Sequence, residues 1–325
     1  MIPDVRHLRF GMDTLVAIGE VDSFKGAWPL LSRMTQEQLD AMRARAGAES
    51  ADASCRLEGL PAGVTGAAGG YLPVLAQALA LPATMTEAWI SSLHRTLLSG
   101  ESDAGTLKVE PNTVEAFDAE GKSLGAIFAT ETPENTAPRL AELTAWVENA
   151  VTEKEAHPAV AIALFVALFL EIHPFRAGTI RLASVLATAL LVRAGYDYAA
   201  YGSLDRAIEK NKYSYYLSLR RTLGSLRTDQ PDWKHWLDFF LRALVQQKHD
   251  IEERIAKDRA IGDDLPELSA QILAIARENG RVTIATAAKT TASSRNTIKD
   301  HVGRLVEQGH LTLHGAGRGA WYGLR

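Results

Sequence analysis

Apolar residues recur mostly at helical spacing along the chain, and two stretches are apolar almost all round: PAVAIALFVALFLEI from Pro158 and IRLASVLATALLVRAG from Ile180. A helix without a polar face belongs in the middle of a bundle. Around these two, the spacing predicts helices from about Thr86 to Leu98, in PRLAELTAWVENAV from Pro138, near 213–226, and in DWKHWLDFFLRALVQQ from Asp232. The pattern from Trp28 to Glu58 is also mostly helical, and the following LPAGVTGAAGG reads as a loop because of its proline and glycines. Between Leu107 and Thr130 the β-branched and aromatic Val109, Val114, Phe117 and Ile127 flank the polar tip DAEGKS. This predicts a hairpin that turns at Gly121.

Past this bundle, KHDIEERIAKDRAIGDD is a charged stretch that predicts a helical connector with a loop at Gly262. Leu268, Ile272, Ile275 and Ala276 form one apolar stripe and Ile298, Val302, Leu305 and Val306 another, with ATAAKTTA as a short helix between them. Ser293 or Ser294 is placed to cap the last helix. After Gly309, LTLH and AWYGL read as two short strands joined by GAGRG. The order helix, helix, helix, hairpin resembles a winged helix-turn-helix, with Arg318 at the tip of the wing.

Composition adds bounds. The chain has 325 residues, 46% hydrophobic and 23% charged, as in globular proteins of two or three domains. The run Ala159 to Leu170 is shorter than the roughly 20 residues a membrane helix needs, so no membrane partner is expected. The opening residues lack the pattern of a secretory signal, and the single cysteine, Cys55, has no partner for an internal disulfide. A cytoplasmic location is the expectation.

The formal net charge is -4, yet from Pro266 onward eight Lys or Arg (277, 281, 289, 295, 299, 304, 318, 325) face four Asp or Glu (267, 278, 300, 307), a local +4. That asymmetry fits a polyanion partner. Arg295, Asn296, Thr297 and Lys299 open the last helix and are residue types that read grooves, while Arg318 would reach a phosphate from the wing. DNA is one expected partner; winged helices also bind protein.

The chemistry concentrates in HPFRAGTIR, His173 to Arg181, between the two buried helices. Pro174 disfavours helical geometry at His173, so the chain should leave the first helix there and begin the second near Thr179. The free N–H groups of the second helix and its macrodipole favour an anion, Gly178 permits close approach, and Arg181 adds a bidentate donor. His173 beside such a pocket is placed to take a proton near neutral pH. Alone, it could equally be a helix-terminal histidine satisfied by backbone groups.

This stretch resembles the Fic family, whose signature reads H-x-F-x-[DE]-G-N-[GK]-R-x-x-R; His173, Phe175, Gly178 and Arg181 are in register, with Pro174 as is frequent there. The resemblance covers about Thr86 to Ala243. It implies a mainly α fold, a Fic-type helical bundle with a β-hairpin flap, followed here by a small winged-helix domain. The expected division is an N-terminal helical region at 1–85, a Fic-like domain at 86–246, a linker at 247–265 and the winged helix at 266–325. The resemblance further implies that His173 is the base for a target hydroxyl, that Phe175, Arg176, Gly178, Thr179, Ile180 and Arg181 cradle the phosphates of ATP, and that the hairpin positions the target protein. Tyr215 and Tyr216 would sit beside the adenine, or else pack in an aromatic core.

The departures matter equally. Ala177 stands where the family has a metal-binding acid, which leaves Mg²⁺ without its usual ligand; Thr179 replaces Asn, Ile180 replaces Gly or Lys, and Ser184 replaces the second Arg. No residue is assigned as a metal ligand. Ser54 to Gly59 resembles the [ST]-x-x-x-E-[GN] motif by which many Fic proteins hold an inhibitory glutamate against their own site. Glu58 would be that residue, turned to Arg181 or Arg176 because Ser184 offers no cation; otherwise it is a surface glutamate at a helix end capped by Gly59. Two functions follow: an autoinhibited adenylyltransferase acting on a protein hydroxyl, or a nucleotide-responsive module joined to a DNA-binding wing. A homodimer is expected in either case.

Overall fold

The computed structural model describes residues 5, 8–60, 70–80, 82, 84–118, 120–153, 155–226, 228, 231–263, 266–315 and 317–324. Most of the glycine-rich loop expected after Glu58, positions 61–69, lies outside the described residues. In chain order the helices are α1 (Met12–Leu31), α2 (Gln36–Leu57), α3 (Tyr71–Leu79), α4 (Glu87–Leu97), α5 (Pro133–Thr152), α6 (Pro158–Ile172), α7 (Thr179–Arg193), α8 (Leu204–Glu209), α9 (Lys212–Ser225), α10 (Lys234–Asp263), α11 (Glu267–Asn279), α12 (Ile284–Thr291) and α13 (Arg295–Glu307). Strands β1 (Thr113–Phe117) and β2 (Ser123–Ala129) pair antiparallel, as do β3 (Leu311–His314) and β4 (Trp321–Leu324). The chain divides into two compact units, Met1–Ile251 and Glu252–Arg325.

In the first unit α6 and α7 are the centre. From Ala159 to Leu170 every residue of α6 is buried, and α7 is buried from Thr179 to Leu191. The Trp236 indole N–H on α10 donates to the Ala163 carbonyl at 2.6 Å, tying the surrounding layer to that centre. α2, α3 and α5 pack against the same pair. No described helix is long and apolar enough to cross a membrane.

α1 and α3 have no counterpart in the sequence pattern. The buried face of α1 is built from Thr14, Ala17, Val21, Phe24 and Trp28. Thr14 and Ala17 open this face while Met12, Leu15 and Val16 are exposed, so the apolar pattern misleads at the start of the helix; Val21, Phe24 and Trp28 carry the rest of the face. α3 is one short element next to the glycine-rich segment. α2 is legible: Thr35 and Gln38 form a reciprocal capping box at its start. The hairpin turns at Gly121, φ 81, as expected, whereas Val109 lies before β1 and is exposed.

The expected helical connector is present, and its helix ends one residue past Gly262. α10 runs from Lys234 through Asp263, because the charged stretch continues a helical backbone past the single glycine. In the second unit, α11, α12 and α13 bury Ile272, Leu273, Ile275, Ala276, Ala287, Ile298, Val302 and Leu305 together with Val282 and Leu311. Val282 pairs with Tyr322 of β4, and His314 stacks on Trp321 at 4.1 Å across the β3–β4 pair. Ser294 caps α13, its hydroxyl accepting the Thr297 N–H at 3.2 Å. Arg295, Asn296, Thr297 and Lys299 are exposed. The backbone of Arg318 lies in a tight turn, Gly317–Gly319; its side chain is outside the described residues.

One buried acid sits between α8 and α7. Asp205 is 1% exposed; the Tyr71 hydroxyl donates to one of its oxygens at 2.8 Å, while the other has no partner. Burial pushes its carboxyl up to about 6, against the lowering by the Ser184, Tyr71 and Ser50 hydroxyls. The native state thus holds this proton more tightly than the unfolded chain does. Its contribution to stability is complete below about pH 4 and lost as the pH rises through about 6. Asp205→Asn keeps an acceptor for Tyr71 and has no charge to bury. Urea unfolding should show the variant gaining on the wild type by roughly 2–3 kcal/mol between pH 4 and pH 8.

Candidate functional site

The site is built where α6 stops and α7 starts. Pro174 ends α6, and His173 takes the left-handed conformation, φ 48, at its C-cap. Phe175, 0% exposed, turns into the core and stacks on His94 of α4 with centroids 3.8 Å apart and planes 7° apart. His94 fixes the loop from its other edge too: its Nδ1 accepts the Gly105 N–H at 2.8 Å, which leaves Nε2–H to donate to the Ala177 carbonyl at 2.9 Å. Gly178, φ 75, then swings the backbone into α7 in a conformation that would strain any residue with a side chain. Thr179 is buried, its hydroxyl donating back to the Phe175 carbonyl at 3.3 Å.

The first turn of α7 holds a carboxylate. Glu58, the residue after α2, places Oε1 on the Ile180 and Arg181 N–H groups at 3.0 and 3.2 Å and Oε2 on Arg181 Nε at 2.7 Å. Two backbone donors, the helix macrodipole and a guanidinium converge on one anion. The Arg181 side chain is 3% exposed and that of Glu58 10%. Of the two cations expected for Glu58 it is therefore Arg181 that is taken; Arg176 turns outward and pairs with Asp103.

The end of α2 is clamped in place. Gly59, φ 75, closes it with the Leu60 N–H on the Cys55 carbonyl at 2.9 Å. The Phe117 ring lies so close over Gly59 that a Cβ there would fall 2.4 Å from it. Tyr216 donates its hydroxyl to the Leu57 carbonyl at 3.0 Å, and Lys212 Nζ bridges the Arg56 carbonyl at 2.8 Å and the Asp118 carbonyl of the hairpin turn at 3.1 Å. Arg56 pairs with Glu209. Tyr215 is 2% exposed among Tyr216, Trp236 and Phe239, in the aromatic core. Ser184, in the second turn of α7, lines a cavity of about 20 Å³ with Asp205, Leu57 and Tyr215.

His173 is 8% exposed, and burial together with the nearby Lys108 ammonium lowers its pKa to about 4. Its Nδ1 lies 2.9 Å from Asn112 Nδ2. Lys108, itself pushed down to about 8 by burial, donates to Asn112 Oδ1, Thr130 Oγ1 and the Ile172 carbonyl at 3.0, 2.9 and 2.9 Å. Sequence reasoning missed Lys108, Asn112 and His94. All three are distant along the chain from His173; His94 falls on the buried stripe of α4 with Ile90, Leu93 and Leu97, where spacing alone marks it as core.

The position at which the Fic signature has its metal-binding acid supplies no side-chain ligand here. Position 177 offers a methyl group, its carbonyl is engaged by His94, and among the described residues no three His, Cys, Asp or Glu side chains gather as ligands.

Residues 84–191 match the Fic/DOC family. This segment is a Fic/DOC-family domain. Among solved structures the whole chain is similar to a Fic family protein from Desulfovibrio desulfuricans G20, at 17% identity and a TM-score of 0.65 over 98% of this chain and 97% of that one. A Fic domain containing signaling protein from Bacteroides thetaiotaomicron VPI-5482 is similar at 19% identity and 0.52, over 70% of this chain and 95% of that one. A Fic-1 fragment from C. elegans is similar at 14% and 0.53, over 76% and 74%. No curated protein matches. At these identities the likeness establishes the fold, a Fic-type helical bundle.

Truncating Glu58 takes the carboxylate from two backbone N–H groups and from the Arg181 guanidinium at once. Glu58→Ala should lower the unfolding free energy of the Fic domain by roughly 3 kcal/mol. Glu58→Gln, which retains an acceptor for the two backbone N–H groups, should lose less than half as much. Urea denaturation of both variants measures the difference.

Proposed function

We propose that the Fic domain transfers an adenylyl group from ATP to a hydroxyl of a target protein, and that Glu58 holds it in an inhibited state. What supports this reading is the Glu58 carboxylate on the first turn of α7, an anion where the phosphate cradle of His173–Arg181 is expected. In the reaction the target oxygen forms a bond to the α-phosphorus, the bond from that phosphorus to the pyrophosphate oxygen breaks, pyrophosphate leaves, and His173 takes the hydroxyl proton. Displacing Glu58 would return the Ile180 and Arg181 N–H groups and the Arg181 guanidinium to the nucleotide. Incubation with ATP labelled in the adenylyl group should give little label on protein with the wild type, at least about tenfold more with Glu58→Gly, and none with Glu58→Gly/His173→Ala. No transfer by Glu58→Gly would refute the reading.

A second reading has its own support. Ala177 and Ser184 remove two charged groups on which transfer in this family relies, and the second unit has the helix, helix, helix, hairpin order of a winged helix-turn-helix with Arg295 and Lys299 exposed on α13. On this reading the nucleotide is sensed and DNA is bound. Arg295→Glu/Lys299→Glu should then lose retention on immobilised duplex DNA at low salt, since phosphate contacts dominate such affinity. Unchanged retention would leave the wing to a protein partner.

A further inference from the structure

The amide of Asn112 can be oriented from its contacts alone. One end meets the Lys108 ammonium at 3.0 Å, which has only protons to offer, so that end is the oxygen. The other meets the Phe175 carbonyl at 3.1 Å, which has only lone pairs to offer, so that end is the NH₂. The second N–H of this amide points at His173 Nδ1, 2.9 Å away. An N–H facing Nδ1 needs a lone pair there, and a neutral imidazole with a lone pair on Nδ1 has its proton on Nε2.

We propose that Lys108, acting through Asn112, is a positioning residue that holds His173 as the tautomer protonated on Nε2. With the hairpin in this position the ring offers the site a hydrogen-bond donor, not a base. Burial and the Lys108 ammonium also disfavour the doubly protonated ring, against the Phe175 and His173 carbonyls that favour it. Burial lowers the Lys108 pKa, and the charges of Glu131 and Glu171 raise it in part. Asn112 immediately precedes β1, and its carbonyl accepts the hydroxyl of Thr130, just past β2, at 2.8 Å. The pair therefore belongs to the base of the hairpin. Were Asn112 to withdraw with the hairpin, the Phe175 carbonyl beside the ring would accept Nδ1–H and free Nε2 to take a proton. This is a second lock, separate from Glu58, and its consequence for transfer rests on His173 being the base.

Nitrogen-15 NMR of the full chain labelled at histidine, with the His173 signal assigned by its loss in His173→Gln, reads the tautomer directly. The wild type should show a proton on Nε2 and a ring that stays neutral to below pH 5. Asn112→Asp, whose carboxylate accepts Nδ1–H, should move the proton to Nδ1 and raise the pKa by about one unit or more. Lys108→Met, which frees the amide to rotate, should shift the tautomer the same way. A wild-type proton on Nδ1, or no change in either variant, overturns the proposal. In the labelled-ATP assay, Glu58→Gly/Asn112→Asp should exceed Glu58→Gly by roughly tenfold. A tautomer that shifts as stated with no transfer by any variant would refute the transferase reading and leave the positioning role standing.

Discussion

The carboxylate of Glu58 satisfies two of the four N–H groups that the start of α7 leaves open, and it neutralises a guanidinium that is almost wholly buried. α7 is buried along most of its length, so these donors have little access to water, and an anion must lie there. The protein's own carboxylate meets that requirement. That the carboxylate comes from α2 ties an N-terminal helix to the centre of the bundle.

Around that contact the neighbouring elements share partners. Lys212 takes one carbonyl from the end of α2 and one from the hairpin turn, Tyr216 takes another from α2, and Phe117 of β1 covers Gly59. Placing a lysine at the carbonyl end of a helix also complements its macrodipole. The base of that hairpin is held separately, by Lys108 and Asn112 against His173.

The HPFRAGTIR segment was legible because its physics is local. Pro174 stops one helix, Gly178 starts another, and Arg181 falls in the first turn whatever else surrounds it. Ser54 to Gly59 pointed to Glu58, and Arg181 as one of its two expected partners follows from Ser184 having no charge. Tyr215 and Tyr216 were not separable in sequence; in the structure the first is core and the second braces α2. Arg176, matched by position in the same loop, faces outward to Asp103. Register alone does not say which side of a loop a side chain takes.

By itself the sequence determined the helices with a strong apolar period, the central pair α6 and α7, the hairpin, the order of elements in the second unit and the anion-binding character of the helix start, because each depends on residues within a few positions of one another. The tertiary structure decided what no local pattern encodes: that Thr14 rather than Met12, Leu15 or Val16 is buried at the start of α1, that Glu58 fills the cradle, and that His94, Lys108 and Asn112 set the loop and the histidine ring. Those depend on side chains brought together from across the chain, where burial removes water and leaves each donor to find its acceptor within the protein.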